Sequence, residues 1–183
     1  KEDGQLSNII SKAIAAGSER VMSWADVLDR INVFPVPDGD TGRNLVISLS
    51  PLRQAGKSPE ELARELLLAA RGNSGNIAAR FFSELVACPG LNALPRFCER
   101  ARDRAYGAVP VPKPGTMLTL FDVLVEALNQ LPPRSDESWA REVVERLENA
   151  VRATTEQLPE LQEAGVVDAG ALGMFIFFDS CLG

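Results

Sequence analysis

Apolar residues recur at helical spacing almost from one end of this chain to the other, and no sustained run alternates with period two. That feature argues against a sheet and for an all-α fold. Val143, Val144, Leu147 and Val151 share one face, with Arg141, Glu142, Glu145, Arg146 and Glu148 elsewhere around the axis. Leu62, Leu66 and Ala69 repeat the pattern after a clear start signal. Ser58 can cap, Pro59 takes the first helical position, and Glu61 completes a capping box. Further helical stretches run from Gln5 to Ala16, Ser18 to Ile31, Asn44 to Gln54, Gly75 to Val86, Leu94 to Tyr106, Thr116 to Leu131 and Ala169 to Cys181. The expectation is a single domain, residues 1–183, of about eight amphipathic helices. At 183 residues, 45% of them hydrophobic, it can bury a core without staples.

Composition then removes whole classes of function. The chain has no histidine, which excludes Ser-His-Asp and Cys-His nucleophile systems, imidazole-bound zinc and a phosphohistidine relay within it. Its net charge of −6 argues against an electrostatic nucleic-acid binder. A small polyanion held through a metal ion stays open, because the metal brings its own positive charge. Cys88, Cys98 and Cys181 are too few and too scattered for a disulfide scaffold or a zinc cluster, and their odd number fits reduced thiols in a cytoplasmic protein. No apolar run reaches the ~18 residues of a membrane span. The start is polar, without the pattern of a signal peptide. The chain opens on Lys1 rather than Met and its last apolar stretch stops at Gly183, so a piece of a longer chain is expected.

Four segments rich in Gly, Pro, Asn, Asp and Thr interrupt the helices: Asn32 to Gly42, Arg71 to Gly75, Val109 to Gly115 and Gly165 to Gly173. On the spans above, each is separated from the next by two helices. In an antiparallel bundle an even number of helices returns the chain to the same end, so all four can meet there.

Each segment carries candidate chemistry beside a plainer reading. Asp38-Gly39-Asp40 offers two carboxylates that converge if Gly39 takes a positive φ, and Asn32 can add a carbonyl oxygen. Hard oxygens in this number suit Mg²⁺, which shares its shell with water and phosphate oxygens. Asp-Gly is also ordinary turn chemistry. Thr41, Gly42 and Asn44 lead into a helix, where backbone N–H groups attract phosphate. Gly72-Asn73-Ser74-Gly75 reads either as a phosphate-binding helix start or as a cap. Thr116 with Met117 reads as a cap and a flexible apolar surface for a flat ring, or as a cap and a core methionine. Asp168-Ala169-Gly170 is either a helix N-cap or a hydrogen-bonding shelf for a nucleoside. No Walker A loop or GxGxxG fingerprint is present.

Taken together, NVFPVPDGDTG, ARGNSG, PGTMLTL and AGVVDAGALG resemble the nucleotide-binding domain of the dihydroxyacetone kinase L-subunit superfamily, and the wording of the first motif is most similar to its fatty acid kinase A branch. The resemblance implies a closed up-and-down barrel of eight mostly antiparallel helices with ATP and magnesium, two ions in number, at one end. It implies Asn32, Asp38 and Asp40 as metal ligands, with Asp38 and Asp40 as the catalytic pair. Thr41, Gly42 and Asn44 would cradle phosphates, Asn73, Ser74 and Gly75 would support the triphosphate, and Thr116, Met117, Asp168 and Gly170 would lie against the nucleoside of ATP or ADP. Arg43, Asn76, Arg80 and Ala171 depart from the family pattern.

The function this implies is ATP–Mg-dependent phosphoryl transfer. The expected acceptor is a fatty acyl carboxylate presented by a lipid-binding partner of the DegV/fatty-acid-binding type or by a fused domain. An ionised carboxylate needs no general base, so the missing histidine is no obstacle. A glycerone-type acceptor, a non-catalytic nucleotide-binding module and a purely structural helical adaptor are the alternatives. No nucleic-acid partner is expected, and a homodimer is allowed.

Overall fold

The computed structural model describes residues 2–183, with side chains from Asn8 onward; Lys1 and the side chain of Gln5, where the first helix was expected to start, lie outside the described residues. Every regular element among them is helical. The chain runs through α1 (Glu2–Ser23), α2 (Ala25–Ile31), α3 (Thr41–Ser48), a 3₁₀ turn (Ser50–Arg53), α4 (Pro59–Ala69) and α5 (Gly72–Leu85). A second 3₁₀ turn (Leu91–Ala93) leads to α6 (Leu94–Tyr106), α7 (Met117–Gln130), α8 (Glu137–Gln157), α9 (Pro159–Ala164) and α10 (Ala169–Leu182). The Ser58 capping box at the start of α4 forms as its sequence dictates, with Pro59 at the first position.

Three departures from the expected spans have physical causes. The break foreseen at Gly17 is absent, because that glycine lets α1 and α10 approach closely: a Cβ there would lie 3.0 Å from the Phe177 ring. The chain leaves the helix instead at Trp24. Secondly, α3 and α5 each begin three residues early, at Thr41 and Gly72, so residues expected in loops form the first helical turns. Finally, α9 is an extra short helix, restarted by Pro159 at its first position after the extended Leu158.

Side-by-side packing follows the order α1, α10, α8, α7, α6, α5, α3, and α3 returns to α1, so the ring of contacts closes. The last helix, α10, is apolar on nearly every side and also touches α2, α3 and α7. Its Phe177 and Phe178 meet Phe81 and Phe82 of α5, and Phe121 of α7 stacks on Phe81 with centroids 4.0 Å apart and planes 7° apart. Such aromatic pairs add about 0.5–1.5 kcal/mol each beyond area burial. This cluster is the rigid centre on which the connecting loops are mounted. Among the described residues no helix is long and apolar enough to cross a membrane.

Candidate functional site

Every helix start leaves four backbone N–H groups without an intrahelical acceptor. At α3 two side chains serve all four. Asn32 Oδ1 accepts from Asp40 N–H (3.2 Å) and Thr41 N–H (3.3 Å), and Asp29 Oδ1 accepts from Gly42 N–H (2.7 Å) and Arg43 N–H (3.2 Å). Asp40 occupies the N-cap position, where an aspartate ordinarily caps, yet its carboxylate makes no cap bond. Capping has been handed to residues upstream, and the Asp40 carboxylate is left in the cavity.

The same network shapes the loop. Asn32 is buried and its Nδ2 donates to the carbonyls of Phe34 (3.4 Å) and Val36 (3.2 Å), folding residues 32–40 around one amide. Gly39 takes φ +66°, the positive value the Asp-Gly-Asp reading requires. Asp38 and Asp40 then interact directly. The Asp38 carboxyl is held above its ordinary range, first by desolvation at the cavity wall and then by the neighbouring Asp40 carboxyl.

Asp38, Asp40, Thr41 and Asn44 line a cavity of about 150 Å³ together with Gly72, Asn73 and Ser74. In the same cavity, α5 starts without a side-chain cap. Arg71 N–H is taken by Ser48 Oγ (2.9 Å), but the N–H groups of Gly72, Asn73 and Ser74 have no acceptor among the described residues. The cavity is therefore bipolar: a carboxylate pair and the partial positive charge of a helix start both line it.

Three of the expected contacts look different in this geometry. The α3 N-terminus offers no free N–H to an anion, because Asn32 and Asp29 hold its donors; Thr41 and Asn44 can contribute only side chains. The Asn32 oxygen already carries two hydrogen bonds, so as placed it organises the loop instead of standing ready as a metal ligand. Gly42 and Gly75 do not line the cavity. A Cβ on Gly42 would overlap the Ala25 carbonyl of α2, and one on Gly75 would overlap Ser48 Oγ, so both glycines permit close helix packing.

The remaining four residues form a second group. Met117 covers Gly170, where a Cβ would lie 3.1 Å from the methionine Cε. Asp168 is buried and caps α10, accepting from Ala171 N–H (2.8 Å), while its own N–H reaches Thr154 Oγ (3.0 Å). Burial pushes its pKa up to about 7, with the Ala171 and Gly170 N–H groups pulling the other way. Thr116 donates to the Lys113 carbonyl (3.0 Å), and Thr119 Oγ accepts from Gly115 and Thr116 N–H. None of the four lines the 150 Å³ cavity. The groups are nevertheless joined. Gly173 lies against Leu45 of α3 and Leu28 of α2, and Lys113 Nζ sits 5.5 Å from the centre of the Phe34 ring.

Asp29, Ser48 and Lys113 escaped the sequence reading. Asp29 lies 13 residues from Gly42 and Ser48 lies 23 from Arg71, separations at which no local spacing rule operates.

Two carboxylate oxygen donors beside an uncapped helix start suit a divalent cation that keeps waters and shares phosphate oxygens. Among the described residues no group of three or more His, Cys, Asp or Glu gathers, so the protein alone would not complete such a shell. Residues 35–183 match the DAK2 domain family. The chain is 34% identical over 189 residues to protein YloV of Bacillus subtilis, covering 94% of this chain and 34% of that protein. It is 33% identical over 196 residues to an uncharacterized protein of Staphylococcus saprophyticus, covering 97% and 35% respectively. The chain thus spans about a third of the length of these curated relatives. Its backbone matches the dihydroxyacetone kinase of C. freundii with a TM-score of 0.59 at 17% identity, over 94% of this chain and 34% of that one, a likeness of fold. On the family match and these relatives, the chain belongs to the DAK2 domain family.

Proposed function

We propose that this domain binds ATP with magnesium, two ions in number, in the bipolar cavity and transfers the terminal phosphoryl group to an acyl carboxylate. The observation that carries the reading is one cavity lined both by the Asp38–Asp40 pair, with Asp40 making no cap bond, and by the uncapped start of α5. Asp38 and Asp40 would hold the metal, which when bound neutralises phosphate charge. The Gly72, Asn73 and Ser74 N–H groups would hold phosphate oxygens, and Thr41 and Asn44 would orient them from the side. Thr116, Met117, Asp168 and Gly170 would take the nucleoside. Phosphoryl transfer asks mainly for such positioning. The acceptor oxygen bonds to the terminal phosphorus as the bridging oxygen leaves with ADP.

At about 150 Å³ the cavity has room for phosphates but not for a long acyl chain as well. The acceptor would therefore be presented from outside, by a lipid-binding partner of the DegV/fatty-acid-binding type or a fused domain. The unpaired state of Cys88, Cys98 and Cys181 agrees with a cytoplasmic setting. The fold shared with a dihydroxyacetone kinase favours a second reading, a hydroxyl acceptor. A hydroxyl would need a general base, which in this histidine-free chain would have to be a carboxylate or come from the partner.

Thermal melts with and without Mg-ATP test the binding step. At ~100 times its dissociation constant the ligand stabilises by about 2.7 kcal/mol. Asp38→Ala and Asp40→Ala should each abolish the magnesium-dependent shift while leaving the helical circular dichroism intact. If both variants unfold, the pair is structural and the reading fails. ATP consumption with an acyl-loaded carrier, against dihydroxyacetone, then identifies the acceptor.

A further inference from the structure

Lys113 sits where the two halves of the site meet. Its ammonium lies 5.5 Å from the centre of the Phe34 ring, and Phe34 is flanked by Asn32, Pro35 and Val36, all of which line the cavity. Its carbonyl accepts the Thr116 hydroxyl at 3.0 Å, which ties it to the start of α7 and so to the Met117–Gly170 group. Pro110, Pro112 and Pro114 stiffen the segment that carries it. The side chain is exposed and makes no ion pair within 4.0 Å among the described residues, although Asp38 and Asp40 stand on the same loop as Phe34. Arg71, which precedes the cavity-lining Gly72, is already engaged, since its guanidinium donates to the carbonyls of Leu68, Ala69 and Ala70 at the end of α4.

A lysine left on an aromatic face keeps a full, mobile charge, because a cation–π contact at an exposed site is worth only about 0.5–1 kcal/mol. A strongly anionic ligand in the neighbouring cavity is a better partner than the ring. We propose that Lys113 is a ligand-positioning residue: from its rest over Phe34 it turns its ammonium to the phosphates of the bound nucleotide. The proposal rests on the nucleotide reading of the cavity and adds to it a cation outside the carboxylate and helix-start elements.

The test is binding, measured by calorimetry with Mg-ATP, Mg-ADP and adenosine on the wild type, Lys113→Gln, Lys113→Arg and Phe34→Leu. An ammonium brought to about 4 Å from a phosphate oxygen is worth about 1 kcal/mol in water, roughly five- to tenfold in affinity. Lys113→Gln should therefore weaken Mg-ATP by about that factor and Mg-ADP by less, leave adenosine unchanged, and lose its difference from wild type at high salt. Lys113→Arg should restore most of the affinity, and Phe34→Leu should not reproduce the salt-dependent loss. Equal weakening of adenosine, or failure of arginine to rescue, would show a merely structural loop contact and overturn the proposal. Wild-type binding that Lys113→Gln leaves unchanged overturns it too, with the nucleotide reading intact. A wild type that binds none of the three ligands overturns both.

Discussion

Replacing Asp29 with alanine tests the construction of the site at its foundation. The Asp29 carboxylate accepts two N–H bonds from the first turn of α3, at 2.7 and 3.2 Å, from a half-buried position. Losing a helix cap costs about 1 kcal/mol, within a range of 0.5–2. Losing a negative charge at a helix N-terminus adds roughly 0.3–1 kcal/mol. The sum is about 2 kcal/mol, which for a domain of this size lowers the melting temperature by about 4–8 °C. Asp29→Asn keeps the Oδ1 acceptor and loses only the charge, so its melt should fall by about 2 °C. Amide exchange should quicken at Gly42 and Arg43 in the alanine variant, while Asp40 and Thr41, held by Asn32, should change less. A melt of Asp29→Ala within about 1 °C of wild type would refute the capping argument. So would an asparagine variant as damaged as the alanine one, because geometry and charge would then not be separable.

Two further outcomes follow from single contacts. Gly42→Ala places a methyl against the Ala25 backbone, 2.8 Å from its carbonyl carbon and 2.9 Å from its Cα. The overpacking should cost about 1–3 kcal/mol in denaturant melts, despite alanine's better helix propensity. Stability equal to wild type would mean α2 and α3 can separate freely. Asp168 has a folded pKa of about 7 against an ordinary 3.8, so between those values the folded state holds a proton that the unfolded chain has released. Stability should therefore fall as pH rises from about 4 to 7, by at most about 1.4 kcal/mol per unit, and level off above. Asp168→Asn keeps the cap to Ala171 N–H and removes the titration. Its stability should match wild type near pH 4 and exceed it above pH 7; the same pH slope in both proteins would sink the assignment.

Much of the fold was legible because helical periodicity and caps are local. The Ser58 box, the α6 span and the α7 and α10 starts need only neighbours within a turn or two. Glycine was the misleading signal. Gly17, Gly42 and Gly75 read as breaks or anion contacts, and all three serve close helix approach, which depends on a partner far along the chain. A missing side chain looks the same in sequence whether it makes room for a ligand, a turn or another helix.

The site divides the same way. Sequence alone allowed Asp38 and Asp40 to converge, because a glycine between two carboxylates can bend on its own backbone freedom, and Gly39 takes the positive φ this needs. It also determined that an all-helical chain would present its polar corners as loops between helices. Which donors those corners leave available was decided only in three dimensions. The N–H groups of a helix start donate to whichever oxygen reaches them, and among the described residues Asp29 and Asn32 reach α3 while none reaches Gly72, Asn73 and Ser74 of α5. The chemistry of the cavity is set by that difference in capping, and capping across 13 residues is a property of packing.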